Sequence, residues 1–299
     1  MFDLLSDYTF QIVALGSALL GCISGALGSF AVLKKQSLLG DGVSHAALPG
    51  VVLAFLLTGS KNTEVLLLGA LIAGLISTFL IVSIEKSTRI KFDSALALIL
   101  SVFFGLGLVL LTYSQKIPNS NQAGLDRFIY GQASAMLKRD LNIILVCGVV
   151  LIGIVLLFWK EFKILIFDAQ FAQTLGFNIK FINGLLIFLI VMTIILGLQT
   201  VGVILMSSML IAPAVAARQW SNKLGVMVGL SAFFGAISGI VGTFLSSLTI
   251  NLSTGPTIVV CVTSIAVFSL LFAPKRGLIA KIIQRKRNKI KFKKDRRVS

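Results

Sequence analysis

Charge and histidine are what this sequence is short of. Asp, Glu, Lys and Arg make up 13% of its 299 residues, against about 25% in an ordinary soluble domain. A chain this poor in charge cannot clothe a water-facing surface, which excludes the soluble classes. Acids are scarcer still, 11 against 27 Lys and Arg. The three cysteines, Cys22, Cys147 and Cys261, stand far apart, and no pair has metal or redox spacing. They read as small apolar packing residues. No G-x-x-x-x-G-K-[ST] run occurs, so the chain has no loop to cradle the phosphates of ATP. An ATP-driven process would need its ATPase in another subunit, and the chain itself is not expected to be an enzyme. The opening MFDLLSDYTF lacks a basic n-region, and no small-residue cleavage site follows its apolar run. No cleaved signal peptide is expected.

What is abundant is apolar length. Hydrophobic residues are 57% of the chain and the mean hydropathy is +0.99. Runs of the roughly 20 residues a bilayer span requires recur throughout. Apolar residues fall on every helical face, whereas a membrane barrel would alternate polarity over short segments. The fold class is therefore all-α, a polytopic transmembrane helical bundle. About nine spans are expected, near 10–33, 38–58, 63–84, 93–113, 140–159, 181–199, 201–217, 224–248 and 256–273. The seventh is short enough to be a half-span or a broken helix. Residues 1–274 form the membrane domain and 275–299 a basic tail.

The net charge of +16 invites a nucleic-acid reading, but its distribution argues against one. Twelve Lys and Arg and one Asp lie between Lys275 and Ser299, so +11 of the +16 is in the tail. A basic block behind a last span is a cytoplasmic anchor against anionic lipid, and no nucleic-acid partner is expected. With the C-terminus inside, the inner segments outside the tail hold ten Lys and Arg and the outer segments five. That asymmetry has the sign the positive-inside rule requires. An odd number of spans then puts Met1 outside.

Two stretches between spans carry information. Tyr113 to Arg139 begins with turn chemistry at Pro118, Asn119, Ser120 and Asn121 and ends semi-apolar, in keeping with a segment along the outer face. FDAQFAQTLGF, Phe167 to Phe177, falls on the inner side. Asp168 is suited to accept from free backbone N–H groups as an N-cap. Gly176 is suited to the left-handed turn behind the last carbonyls. A helix of about two turns fits between them, either a docking element or an ordinary connector.

The single histidine lies in LLGDGVSHAALPG. His45 follows Asp41 by four residues, the spacing that puts two side chains on one helix face. Counting from Lys35 at the helical rise, Asp41 would lie about 9 Å into the membrane and His45 about 15 Å. Pro49 has no N–H and would leave the His45 carbonyl without its helical donor. Ionisable side chains at this depth are costly and functional by default. Carboxylate and imidazole together suit a borderline divalent cation. Two donors per chain is a loose site, suited to cargo that must be released, and a symmetric second chain would supply four. Two other readings fit the same residues: a hydrogen-bonded pair that fixes helix packing, and a proton relay in a secondary transporter that needs no ATPase. Met206 and Met209, with Ser207, Ser208 and Gln199, are further candidates, although methionine in a span is more often packing.

The run LKKQSLLGDGVSHAALPGVVLAFLL, Leu33 to Leu57, closely resembles the hallmark segment of the ABC-3 family of permeases, which serve bacterial ABC importers of manganese, zinc or iron. The resemblance continues through KFDSALALILSVFFGLGLVLL (Lys91–Leu111), LDRFIYGQ (Leu125–Gln132), FDAQFAQTLGF, VGVILMSSMLIAPAVAA (Val201–Ala217) and APKRGL near the C-terminus. It covers essentially the whole chain in order, and LDRFIYGQ and APKRGL are most like the manganese-type branch. The resemblance implies a subunit of the bacterial cytoplasmic membrane that works by alternating access. It implies a second permease chain (identical or homologous), two cytoplasmic ATP-binding subunits and an extracytoplasmic metal-binding protein as partners. Asp41 and His45 match the family's metal-coordinating pair, with Mn2+, then Zn2+ or Fe2+, as cargo and no permanently bound cofactor. Phe167, Asp168, Gln170, Ala172, Leu175 and Gly176 match its coupling helix, which meets the ATPase.

Overall fold

The computed structural model describes residues 7–60, 62–116, 131, 133, 136–248, 252–274, 276–282 and 284. Most of the segment between Tyr113 and Arg139, and residues 275, 283 and 285–299 of the basic tail, lie outside the described residues. The described elements are helices: α1 Tyr8–Leu33, α2 Leu39–Thr58, α3 Thr63–Ser87, α4 Phe92–Lys116, α5 Lys138–Leu157, α6 Trp159–Phe167, α7 Ala169–Thr174, α8 Ile179–Val201, α9 Val203–Trp220, α10 Leu224–Leu248 and α11 Thr254–Phe272. Eight of them, all but α6, α7 and α9, are apolar and long enough to cross a membrane, at 19 to 26 residues. The remaining long helix, α9, has 18 residues and occupies the place of the short seventh span. It is separated from α8 by Gly202 alone, at φ 87° and ψ 166°. Only glycine enters that backbone region without a steric penalty.

Helix ends follow local chemistry. The Asp7 carboxylate accepts from the Thr9 N–H at 2.9 Å and starts α1. Asp140 reaches back to the Leu137 N–H at 3.0 Å and starts α5. Gly59, at φ 61°, ends α2, and its N–H donates to the Phe55 carbonyl at 2.8 Å. At the N-terminal ends of α3 and α5, Arg139 pairs with Glu64 at 2.7 Å.

Lipid chains are as apolar as leucine, so helices within a bilayer associate through close packing and hydrogen bonds. The pair α1 and α10 shows how. Ser17, Gly21 and Gly25 recur every fourth residue on α1, and Ser231, Gly235 and Gly239 do so on α10. A Cβ on Gly21 would lie 2.2 Å from the Gly235 carbonyl oxygen, one on Gly25 2.4 Å from that of Ser231, and one on Gly239 2.5 Å from that of Ser17. The two helices run antiparallel, backbone against backbone. Gly50 on α2 and Gly69 on α3 make the same kind of approach. Around these seams, Leu20, Leu27, Phe30, Leu186, Ile190 and Ile194 are fully buried. Leu68, Ile72, Phe79, Val109 and Val149, on α3, α4 and α5, are exposed, as lipid-facing side chains must be. Near the C-terminal end of α1, Phe30 packs edge-on to Trp159 and Phe162 with ring centroids 5.9 and 6.0 Å apart. Trp220 on α9 donates to Ser269 on α11 at 3.0 Å.

Candidate functional site

Asp41 lies in the first turn of α2, which has no side-chain cap. Its carboxylate sits at the positive end of the helix dipole, which favours negative charge, while the Asp41 and Gly42 N–H groups both donate to the Leu38 carbonyl at 3.1 Å. His45 follows one turn later, and its Nε2 is 3.5 Å from Asp41 Oδ1. The Asp41 side chain is 41% exposed and that of His45 20%, so the pair is sheltered without being sealed. Pro49 is accommodated inside α2. It cannot donate to the His45 carbonyl, so that oxygen faces its surroundings without the usual helical partner.

Neighbouring helices wall the pair. A Cβ on Gly42 would lie 3.0 Å from Leu96 of α4. One turn higher, the His45 ring meets Phe104 of the same helix at a centroid distance of 4.8 Å and an interplanar angle of 82°. Leu96 and Phe104 are four and twelve residues beyond Phe92, the first residue of α4, or roughly 6 and 18 Å along its axis. Helical counting from Lys35 overstates the depth, because α2 begins only at Leu39; Asp41 and His45 lie roughly 3 and 9 Å along its axis. On the other side, a Cβ on Gly40 would lie 3.4 Å from the Ser207 Cα and 3.2 Å from Leu210, both on α9. The His45 Nδ1 atom is buried and has no hydrogen-bonding partner.

The donor set fits one small cation. Two donors 3.5 Å apart, each bonded to an ion at about 2.1 Å, subtend roughly 110° at it, an ordinary angle in four-coordinate sites. Among the described residues no three His, Cys, Asp or Glu side chains gather to hold an ion, so this chain brings two such donors to the site. Met206 and Met209, suggested by the sequence, are both fully buried. Met206 packs on Gly197, where a Cβ would lie 2.1 Å from its sulfur. They are packing residues in this arrangement, whereas Ser207 and Ser208 stay half-buried. The side chain of Gln199 lies outside the described residues.

Just beyond the end of α1, the Lys34 ammonium donates to the Asn183 side chain of α8. Burial pushes its pKa down to about 8, opposed by the nearby Glu85 carboxylate and reinforced by Lys86. Nothing in the sequence pairs Lys34 with Asn183, 149 residues away. Phe104 was equally invisible, one aromatic residue in an apolar run.

The second feature is α7. Asp168 accepts from the Phe171 N–H at 2.8 Å, and Gly176 turns left-handed at φ 84°. Ala172 is buried and anchors the short helix to the rest of the chain. Asp168, Gln170 and Gly176 are exposed. So are Phe167, Phe171, Leu175 and Phe181, large apolar side chains within a few residues of the cap or of the start of α8. Phe171 and Phe181 were not singled out in the sequence because apolar side chains are unremarked in so apolar a chain.

Comparison with known proteins gives four findings. The sequence profile of the ABC 3 transport family matches residues 6–273. The chain is 50% identical over 287 residues, 96% of each protein, to the zinc transport system membrane protein TroC of Treponema pallidum. It is 48% identical over 274 residues to the manganese transport system membrane protein MntC of Bacillus subtilis, covering 92% of this chain and 63% of that longer one. Among solved structures, PsaBC from Streptococcus pneumoniae in complex with Fab superposes with a TM-score of 0.80 at 32% identity, covering 91% of this chain and 95% of the other.

Proposed function

Because this chain belongs to the ABC 3 transport family, we propose that it is the membrane-spanning permease of an ATP-driven importer carrying Mn2+ or Zn2+ across the cytoplasmic membrane by alternating access. The observation that supports this most directly is the Asp41–His45 pair, 3.5 Å apart in a membrane helix, in a chain whose relatives are named for zinc and manganese transport. The pair takes the ion from an extracytoplasmic binding protein and releases it inward. Its looseness suits transit, and a second permease chain would bring another Asp41 and His45. The exposed apolar side chains on α7 and its neighbours dock on a cytoplasmic ATP-binding subunit. Differential contacts with these partners drive the switch between outward- and inward-open states, since a ligand bound equally by both shifts neither. The C-terminus is cytoplasmic, and the tail from Lys275 to Ser299 anchors against anionic headgroups. A proton relay without an ATPase has no support from the family assignment.

Cellular metal content tests the proposal. Cells expressing the chain with its cognate ATPase and binding protein, as wild type, Asp41→Ala and His45→Ala at matched protein levels, are measured by mass spectrometry. One metal should rise in the wild type, and both substitutions should remove the rise. Equal accumulation in all three would make the pair structural and end this reading.

A further inference from the structure

We propose that Phe104 is a positioning residue for the transit site: its ring receives the Nδ1–H of His45 when Nε2 holds the ion, and so sets how weakly the ion is held. The inference rests on the reading of Asp41 and His45 as the transit pair.

The two imidazole nitrogens have different surroundings. Nε2 faces the Asp41 carboxylate at 3.5 Å. Nδ1 is buried with no nitrogen or oxygen partner. An ion shared with Asp41 therefore bonds Nε2, and the proton of the neutral ring must reside on Nδ1. A buried N–H with no acceptor is costly. The Phe104 ring lies against this imidazole, nearly perpendicular to it at 4.8 Å. A perpendicular pair lets one ring present its edge to the other's face, and the electron-rich face of a benzene ring accepts an N–H weakly; in the proposed arrangement the edge is the imidazole's.

The acceptor's weakness carries the functional consequence. A metal-bound histidine ordinarily donates its second N–H to a carboxylate, a carbonyl or water, which makes the ring a stronger ligand. A phenyl ring gives much less of that support, while still fixing the ring's orientation and excluding water. The imidazole is thus held in place but left a modest ligand, as a site that must release its ion requires. Phe104 itself is only half-buried, so its identity is not dictated by core packing alone.

The sequence makes the test clean, since His45 is the only histidine of the chain. The full-length permease, purified in lipid nanodiscs through a tag without histidine and labelled with 15N in its imidazole, gives one pair of nitrogen resonances. Zn2+ is the probe, followed by NMR and by competition with a chromophoric chelator. Wild type and Phe104→Tyr should bind Zn2+ through Nε2, with Nδ1 protonated. Phe104→Leu should bind several-fold more weakly, with a mobile ring. Phe104→Gln, which offers a true acceptor, should bind several-fold more tightly. Zn2+ on Nδ1, or affinity and resonances unchanged in Phe104→Leu, would overturn the role of Phe104 alone. A wild-type imidazole that does not respond to Zn2+ would instead overturn the transit-site reading beneath it.

Discussion

The Ser231 hydroxyl donates to the Gly25 carbonyl across 2.6 Å, joining α10 to α1 deep in the bundle. The bond exists because Gly25 lacks a side chain. A Cβ there would lie 2.4 Å from the Ser231 carbonyl oxygen and force the helices apart. Ser231→Ala should cost about 0.6 kcal/mol, the typical worth of an interhelical hydrogen bond in a membrane protein. Gly25→Val should cost far more and lower the yield of folded permease. Thermal unfolding followed by size-exclusion chromatography in detergent measures both. Equal losses for the two variants would mean that close approach is not what holds the pair.

The Asp168 cap separates two kinds of substitution. Asparagine is as good an N-cap as aspartate, while arginine is not. If α7 docks on the ATPase by its shape and the adjoining apolar side chains, Asp168→Asn should retain co-purification and Asp168→Arg should abolish it. Phe171→Ala should weaken association without unfolding the permease, because Phe171 is exposed. Co-purification undiminished in Asp168→Arg would refute docking through this helix.

Lys34 predicts a pH dependence with a definite sign. Burial lowers its pKa from 10.5 to about 8. Between those values the unfolded chain binds the proton that the folded chain gives up, so stability rises with pH across this window. The full penalty applies below about pH 8. The span of 2.5 units corresponds to a contribution on the order of 3 kcal/mol at most. Lys34→Met should flatten the rise in thermal stability between pH 7.5 and 10 relative to wild type. Parallel curves for the two proteins would show that the ammonium is solvated. The neutral amine keeps its donors, so the link to Asn183 should survive the titration.

Removing the tail after Gly277 tests the division at 275. Membrane anchoring or stability should fall while the choice of metal stays fixed, read from the metal content of cells at matched expression. A shift in preference would assign the tail to the transport path.

The long elements were legible because a bilayer demands them. No soluble fold needs eight apolar stretches of this length, and the expected spans fall within a few residues of the helices described. Asp168 and Gly176 marked α7 because caps are local chemistry, written in consecutive residues. The Asp41–His45 spacing was legible for the same reason: an i, i+4 pair is close in any helix. What stayed hidden was everything fixed by tertiary contact. Phe104 reaches His45 across two helices, and Lys34 reaches Asn183 across 149 positions. The demotion of Met206 to packing depended on Gly197, which the sequence places on a different helix. The repeat of Ser17, Gly21 and Gly25 was in plain view. Its partner on α10 becomes apparent only when the two helices are laid side by side.

That seam has a mechanical consequence. Helices in contact through their backbones have no flexible side chains between them to absorb a relative rotation. In the proposed alternating-access cycle, the α1–α10 pair is therefore expected to stay fixed, a stator. The displacement that such a cycle requires is expected between α2 and α4, whose contacts, Gly42 on Leu96 and His45 on Phe104, involve side chains able to repack. A crosslink engineered across α1 and α10 should leave turnover untouched, whereas one between α2 and α4 should arrest it. The reverse result would make the glycine seam the moving part.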